Sequence, residues 1–118
     1  MKVVIVEPQK KARIEDIGRE LEDLQEVVGG YIEAIYPFDD PVALVCNEEG
    51  KLNGGGLNRA LYDDNGDVYD IICGTFFVCG LGLEDFDSLT DDLAKKYLER
   101  FGKPEEFLRI AGRIAVIK

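Results

Sequence analysis

Short β-branched runs, each ended after five or six residues by proline, glycine or a polar turn, constrain this chain more than any other feature. Val3-Val4-Ile5-Val6 runs into Pro8, and Val42 to Cys46 runs into Asn47-Glu48-Glu49-Gly50. Val68 to Cys73 and Thr75 to Cys79 are parted by Gly74. Runs of this length and punctuation predict strands, and they are too short for membrane-crossing helices. Ala12 to Ile17 alternates apolar and charged residues and predicts a half-buried strand beside the first. Tyr31 to Tyr36 and Arg113 to Ile117 complete the strand set, while Asp64-Asn65-Gly66-Asp67 carries the strongest hairpin turn signal.

Twice the apolar period changes from two to about 3.6. From Arg19 to Val28, Leu21, Leu24, Val27 and Val28 share one face, opposite Glu20, Glu22, Asp23 and Glu26, and Gly29-Gly30 ends the element. A second helix is expected from Ser88 as its cap, with Leu89, Leu93, Tyr97 and Phe101 in one stripe at spacing four. Leu57 to Tyr62 reads as a short helix, and the stretch around Glu105 to Arg109 as a short turn. The expectation is a single α+β domain over residues 1–118, mainly an antiparallel sheet of about six or seven strands with two main helices.

Composition removes whole classes of function. The chain contains no histidine, which excludes Ser-His-Asp and Cys-His catalysis and imidazole metal sites. With 14 Lys and Arg against 24 Asp and Glu, the net charge is −10, the wrong sign for gripping nucleic acid or an anionic membrane. Both halves, 1–60 and 61–118, carry 7 basic and 12 acidic residues, so the charge marks no domain boundary. Cys46, Cys73 and Cys79 form no Cys-x-x-Cys motif and sit in apolar settings, as buried thiols in a reducing compartment would. The first strand is too short for a signal peptide, and a soluble, cytoplasmic protein is expected.

Candidate chemistry concentrates at strand ends. Asp63 to Gly74 resembles a calcium loop only at first glance, because its sixth and twelfth positions hold Val68 and Gly74 instead of glycine and glutamate. No metal or cofactor is expected. Asn53-Gly54-Gly55-Gly56 ahead of Leu57-Asn58-Arg59 lets backbone amides approach a phosphate, with Arg59 as a forked cation. It lacks the Gly-Lys-Ser/Thr of a P-loop. Tyr31 and Glu33, two residues apart on one strand, share a face, and Asn47 and Glu48 follow another strand's end.

Four phrases stand in a particular order: Leu24 to Glu33, Asn47-Glu48-Glu49-Gly50-Lys51, Leu57-Asn58-Arg59-Ala60 and Gly74-Thr75-Phe76-Phe77-Val78. In that order and spacing, over roughly residues 1 to 101, the chain resembles a family of small bacterial, phage and conjugative-element proteins classed as domain of unknown function 3846. The resemblance implies cargo of mobile elements, often near antirestriction genes, and carries no activity. Where such proteins have a bulky residue and proline before Leu57-Asn58, this chain has Gly55-Gly56.

The expected function is a non-enzymatic accessory protein that antagonises host defence by binding a small anionic, nucleotide-like ligand. Tyr31 would stack on a base, Arg59 would hold phosphate, Asn47, Glu48 and Asn58 would fix orientation, and Glu33 on the Tyr31 face is a further ligand-binding candidate. The alternative is an acidic module that mimics DNA towards a restriction or regulatory enzyme through Glu20, Glu22, Asp23 and Glu26. A host defence protein is then the partner. Neither reading involves direct nucleic-acid or membrane binding, and a homo-oligomer is compatible with both.

Overall fold

The structure, a computed structural model, describes residues 1–52 and 56–117. It is α+β, as expected, with two helices and ten strands among the described residues. The central sheet has six strands: β2 (Arg13–Asp16), β1 (Lys2–Val6), β7 (Phe76–Leu81), β4 (Val42–Asn47) and β3 (Ile32–Ile35) in that order, with β8 (Phe86–Asp87) alongside β7. Every pairing is antiparallel. Two further hairpins, β5 (Leu57–Tyr62) with β6 (Val68–Cys73) and β9 (Glu106–Ile110) with β10 (Arg113–Ile117), lie outside it.

The three middle strands are apolar on both faces because both faces are covered. On one side Val3, Ile5, Ala43, Val45, Phe77 and Cys79 pack with Leu24 and Val28 of α1 (Leu21–Val28). On the other, Val4, Val6, Val42, Leu44, Phe76 and Val78 pack with Leu61 and Ile72 of the β5–β6 hairpin. Ala94 and Tyr97 of α2 (Asp91–Arg100) and the adjoining Phe101 complete that second layer. The three layers are therefore one helix, the sheet, and a helix-plus-hairpin.

Local chemistry sets the helix ends. Glu20 caps α1, and with Asp23 it forms a reciprocal capping box. Gly29 closes the helix in the left-handed region, at φ 79°, where a Cβ would be strained. The α2 cap is Thr90, whose hydroxyl accepts from the Leu93 N–H at 3.2 Å. Ser88, the expected cap, instead accepts from the Lys2 N–H at 2.9 Å and ties the approach to α2 onto β1.

Two expectations are corrected. Leu57 to Tyr62 is a strand, not a short helix: six residues cannot repay helix nucleation, and the Asp63–Asp67 turn pairs them with the apolar β6. Glu105 to Arg109 is not a turn, because Glu106 to Ile110 forms β9. The turn comes later, at Ala111 and Gly112, with φ of 49° and 79°, a two-residue hairpin connection that needs left-handed backbone at both positions. Asn53, Gly54 and Gly55, expected to bring backbone amides to a phosphate, lie outside the described residues.

The cysteines are free: Cys46 and Cys79 are buried, and Cys73 is half-buried. Among the described residues, no helix is long and apolar enough to cross a membrane.

Candidate functional site

A cleft of about 790 Å³ opens where α2, the segment between β3 and β4, and the β5–β6 hairpin meet. That volume lies within the range of small-molecule sites. It exists because two elements from different parts of the chain cover this face of the sheet and do not close against each other.

Arg59 lines the cleft from below, on the buried strand β5. Its side chain is 1% exposed. Nη1 donates to the Asn58 carbonyl at 3.1 Å and to Asn58 Oδ1 at 2.9 Å. Nη2 donates to the carbonyls of Lys10 at 2.7 Å and Phe101 at 2.9 Å. All four acceptors are neutral, and Nε has no hydrogen-bond partner among the described residues. Burial works against the charged form, and Glu105 offsets this only at a distance. The guanidinium is thus a buried cation that crosslinks three chain segments without a contacting counter-ion.

The wall above is aromatic and basic. Phe38 lies 4.8 Å from the Tyr97 ring and 6.1 Å from Phe101, and the Arg100 guanidinium sits 4.7 Å over Phe38. The Tyr97 hydroxyl donates to Asp40 Oδ2 at 2.7 Å, and Lys96 Nζ reaches the same oxygen at 2.6 Å. Lys96, then Tyr97, hold the Asp40 carboxyl below its usual range; burial, with Asp40, pushes the Tyr97 hydroxyl well up. Glu105 accepts from the Ala60 N–H at 2.8 Å and from the Tyr62 hydroxyl at 2.9 Å, securing the free edge of β5.

Outside the cleft Lys2, Lys10, Arg13, Arg19 and Lys51 form ion pairs. Three cations lining the cleft, Arg59, Arg100 and Lys103, form none among the described residues. Of the cations lining the cleft, Lys96 alone is paired among the described residues.

Five of the six residues singled out from the sequence fall into two groups, and Tyr31 joins neither. Arg59 belongs to the cleft. Asn58 is fully buried beneath it, and its Nδ2 donates to the carbonyls of Val6 at 2.9 Å and Gly74 at 2.8 Å. It positions Arg59 and has no exposed surface of its own. Glu33, Asn47 and Glu48 gather elsewhere, around a hollow of about 140 Å³ that also borders Cys46, Cys73 and the Lys51–Asp70 pair. Asn47 there donates to the Val28 carbonyl at 3.2 Å and accepts from the Glu49 N–H at 2.8 Å, which fastens α1 to the β4 turn. Tyr31 is 70% exposed and lines neither space.

The sequence reading missed Phe38, Asp40, Lys96, Arg100 and Lys103. One signal was present: Lys96 and Arg100 stand four apart, flanking Tyr97 of the apolar stripe, so a single face of α2 carries both charge and rings. On α1, Glu20 and Asp23 are engaged in the capping box, which leaves Glu22 and Glu26 as its outward carboxylates. Among the described residues, no group of three or more Cys, Asp or Glu is arranged to hold a metal ion.

The family described as a domain of unknown function (DUF3846) matches residues 1–102. The chain belongs to this family. Neither a curated protein nor a solved structure matches it. The DUF3846 match takes in the whole central sheet, both helices and the β5–β6 hairpin. Lys103, Glu105 and the β9–β10 hairpin lie beyond it, so the cleft is built mainly from the family's own elements.

Proposed function

We propose that this DUF3846 protein is a non-enzymatic accessory protein that binds a small anionic, nucleotide-like ligand in the cleft over Arg59. The observation that carries the reading is the buried Arg59 guanidinium held only by neutral acceptors. A cation removed from water without a counter-ion is costly, and a bound carboxylate or phosphate group would offset that cost. Arg100 and Lys103, also without ion-pair partners, add charge at the mouth, and Phe38 and Tyr97 offer ring surface to a base. The chain's lack of histidine favours binding over catalysis. The mobile-element setting implied by the family resemblance makes sequestering a nucleotide signal of host defence the corresponding role.

DNA mimicry through α1 has less behind it, because two of the four carboxylates on that face serve the helix's own cap. Thermal-shift titration with mononucleotides and cyclic nucleotides at millimolar concentration tests the proposal. Binding raises the Tm of the native protein, and the rise disappears in the double variant R100A/K103A. A Tm that no nucleotide moves overturns the reading.

A further inference from the structure

The β9–β10 hairpin is composed like the middle of a sheet and stands at the edge of one. In β10 apolar residues occupy both faces, Ile114 and Val116 on one and Ala115 and Ile117 on the other. The central strands β1, β4 and β7 have the same doubly apolar make-up, and there both faces and both edges are covered. Among the described strands β10 pairs with β9 alone, and Ala115 and Ile117 are exposed, as are Leu108 and Ile110 beside them. A two-stranded hairpin is marginal in water and gains from a third strand.

The turn determines which backbone groups β10 leaves free. A two-residue connection closes on a hydrogen-bonded pair, here Ile110 and Arg113, and bonded and non-bonded pairs alternate from there. Leu108 and Ala115 are therefore a bonded pair. Ile114 and Val116, opposite Arg109 and Phe107, aim their N–H and C=O groups away from β9. No charge stands between Arg113 and Ile117 to blunt this edge, whereas β9 carries Arg109 inside the strand.

We propose that a second copy of this chain covers the edge, with β10 antiparallel to β10 about a two-fold axis at Ala115. This register uses all five residues of each strand. Ile114 of either copy then bonds Val116 of the other through both its N–H and its C=O, and the two Ala115 side chains meet on the axis. Charge favours the same contact. Residues 1–102 hold 10 basic and 22 acidic residues, so two bodies repel, while residues 103–118 hold 4 basic and 2 acidic. Arg113 faces Ile117 of the other copy, whose neighbour across its own hairpin is Glu106, so opposite charges flank that isoleucine and no like charges stand opposed. The contact is small, below about 1,200 Å² in all, and dissociation in the micromolar range is expected.

Sedimentation equilibrium of the full chain, from about 1 to about 200 µM, tests the proposal. The native protein is expected to pass from monomer to dimer across that range and to go no further. A115E and A115K, each at an exposed position, set like charges against each other on the axis and should weaken association about tenfold or more. An equimolar mixture of the two variants should restore association as a heterodimer, which also shows that both remain folded. A native protein that is monomeric throughout, or that grows beyond the dimer, overturns the proposal. So does association that either single variant leaves unchanged, or a mixture that stays monomeric.

Discussion

The two faces of the central sheet are built from the same strands and finished differently. On the first, α1 lays Leu24 and Val28 onto Phe77, Val45 and Ile5 as an apolar layer, and a hollow of about 350 Å³ beside Ile5, Val27 and Arg13 lies at its margin. On the second, α2 and the β5–β6 hairpin share the cover, and the seam between them holds Arg59, Asn58 and the cleft. Covering a sheet with one element leaves little room for polar groups. Covering it with two leaves their junction, and there a cation sits below a hollow of ligand size.

Adjacent residues of β7 test that contrast most severely. Phe77 points to the α1 face and Phe76 to the other, where its ring meets Phe101 edge-on at 5.2 Å. Both are fully buried, so F76A and F77A should each cost about 3–5 kcal/mol in urea unfolding. Their effects on the cleft should separate. F76A removes the support of Phe101, whose carbonyl holds Arg59, and weakens ligand affinity in the protein that remains folded. F77A leaves that affinity unchanged. Equal loss of binding in both would mean that the two faces are not independent.

This contrast was only half legible in the sequence. The doubly apolar strands Val3 to Val6, Val42 to Cys46 and Phe76 to Cys79 announced a sheet covered on both sides, and α1 was legible from its period and its terminal glycine. The second cover was not, because Leu57 to Tyr62 carries a local preference that only pairing with β6 overrides. Arg59 was identifiable as a candidate, but its isolation from carboxylates depends on where Lys10, Asn58 and Phe101 converge, and these are distant in the chain. Glu33, expected to share a face with Tyr31, lies instead with Asn47 and Glu48 at a different hollow from Arg59, since strand-end position says nothing about which end of the sheet is meant. Nothing near Lys96 and Arg100 in the chain shows that Phe38 comes under Arg100, a contact that only the tertiary fold makes.

Alkali should reach the closed face through Cys79. Burial among the α1-side apolar residues pushes this thiol up to about 12, against an ordinary value of 9.0. A thiol whose folded pKa is raised stabilises the fold fully below its unfolded value and loses that contribution as pH rises from 9.0 towards about 12. At about pH 10.5 the loss is roughly 2 kcal/mol relative to about pH 8. In C79A that share of the pH dependence should vanish, as measured by urea unfolding at the two pH values. An unaltered slope would show that the alkaline loss arises elsewhere, with Cys46, itself raised to about 11, as the next residue to replace.

On the open face the smallest and most local change is Y97F. It deletes the hydroxyl that donates to Asp40 at 2.7 Å and keeps the ring against Phe38. The loss of one buried hydrogen bond should lower stability by about 1 kcal/mol. The more telling readout is Asp40. Its carboxyl lies low chiefly because of Lys96 and secondarily because of Tyr97, so in Y97F it should rise part of the way towards 3.8. A depressed carboxyl stabilises the fold above its unfolded pKa and loses that contribution as pH falls through the folded value, so the variant's acid transition should change in shape below about pH 4. An NMR titration of the Asp40 carboxyl checks this directly. A full return to the ordinary value would mean that the Lys96 contact depends on the tyrosine, so that Lys96 becomes a fourth unpaired cation in the cleft and the open face is more basic towards a ligand than the native pairing suggests.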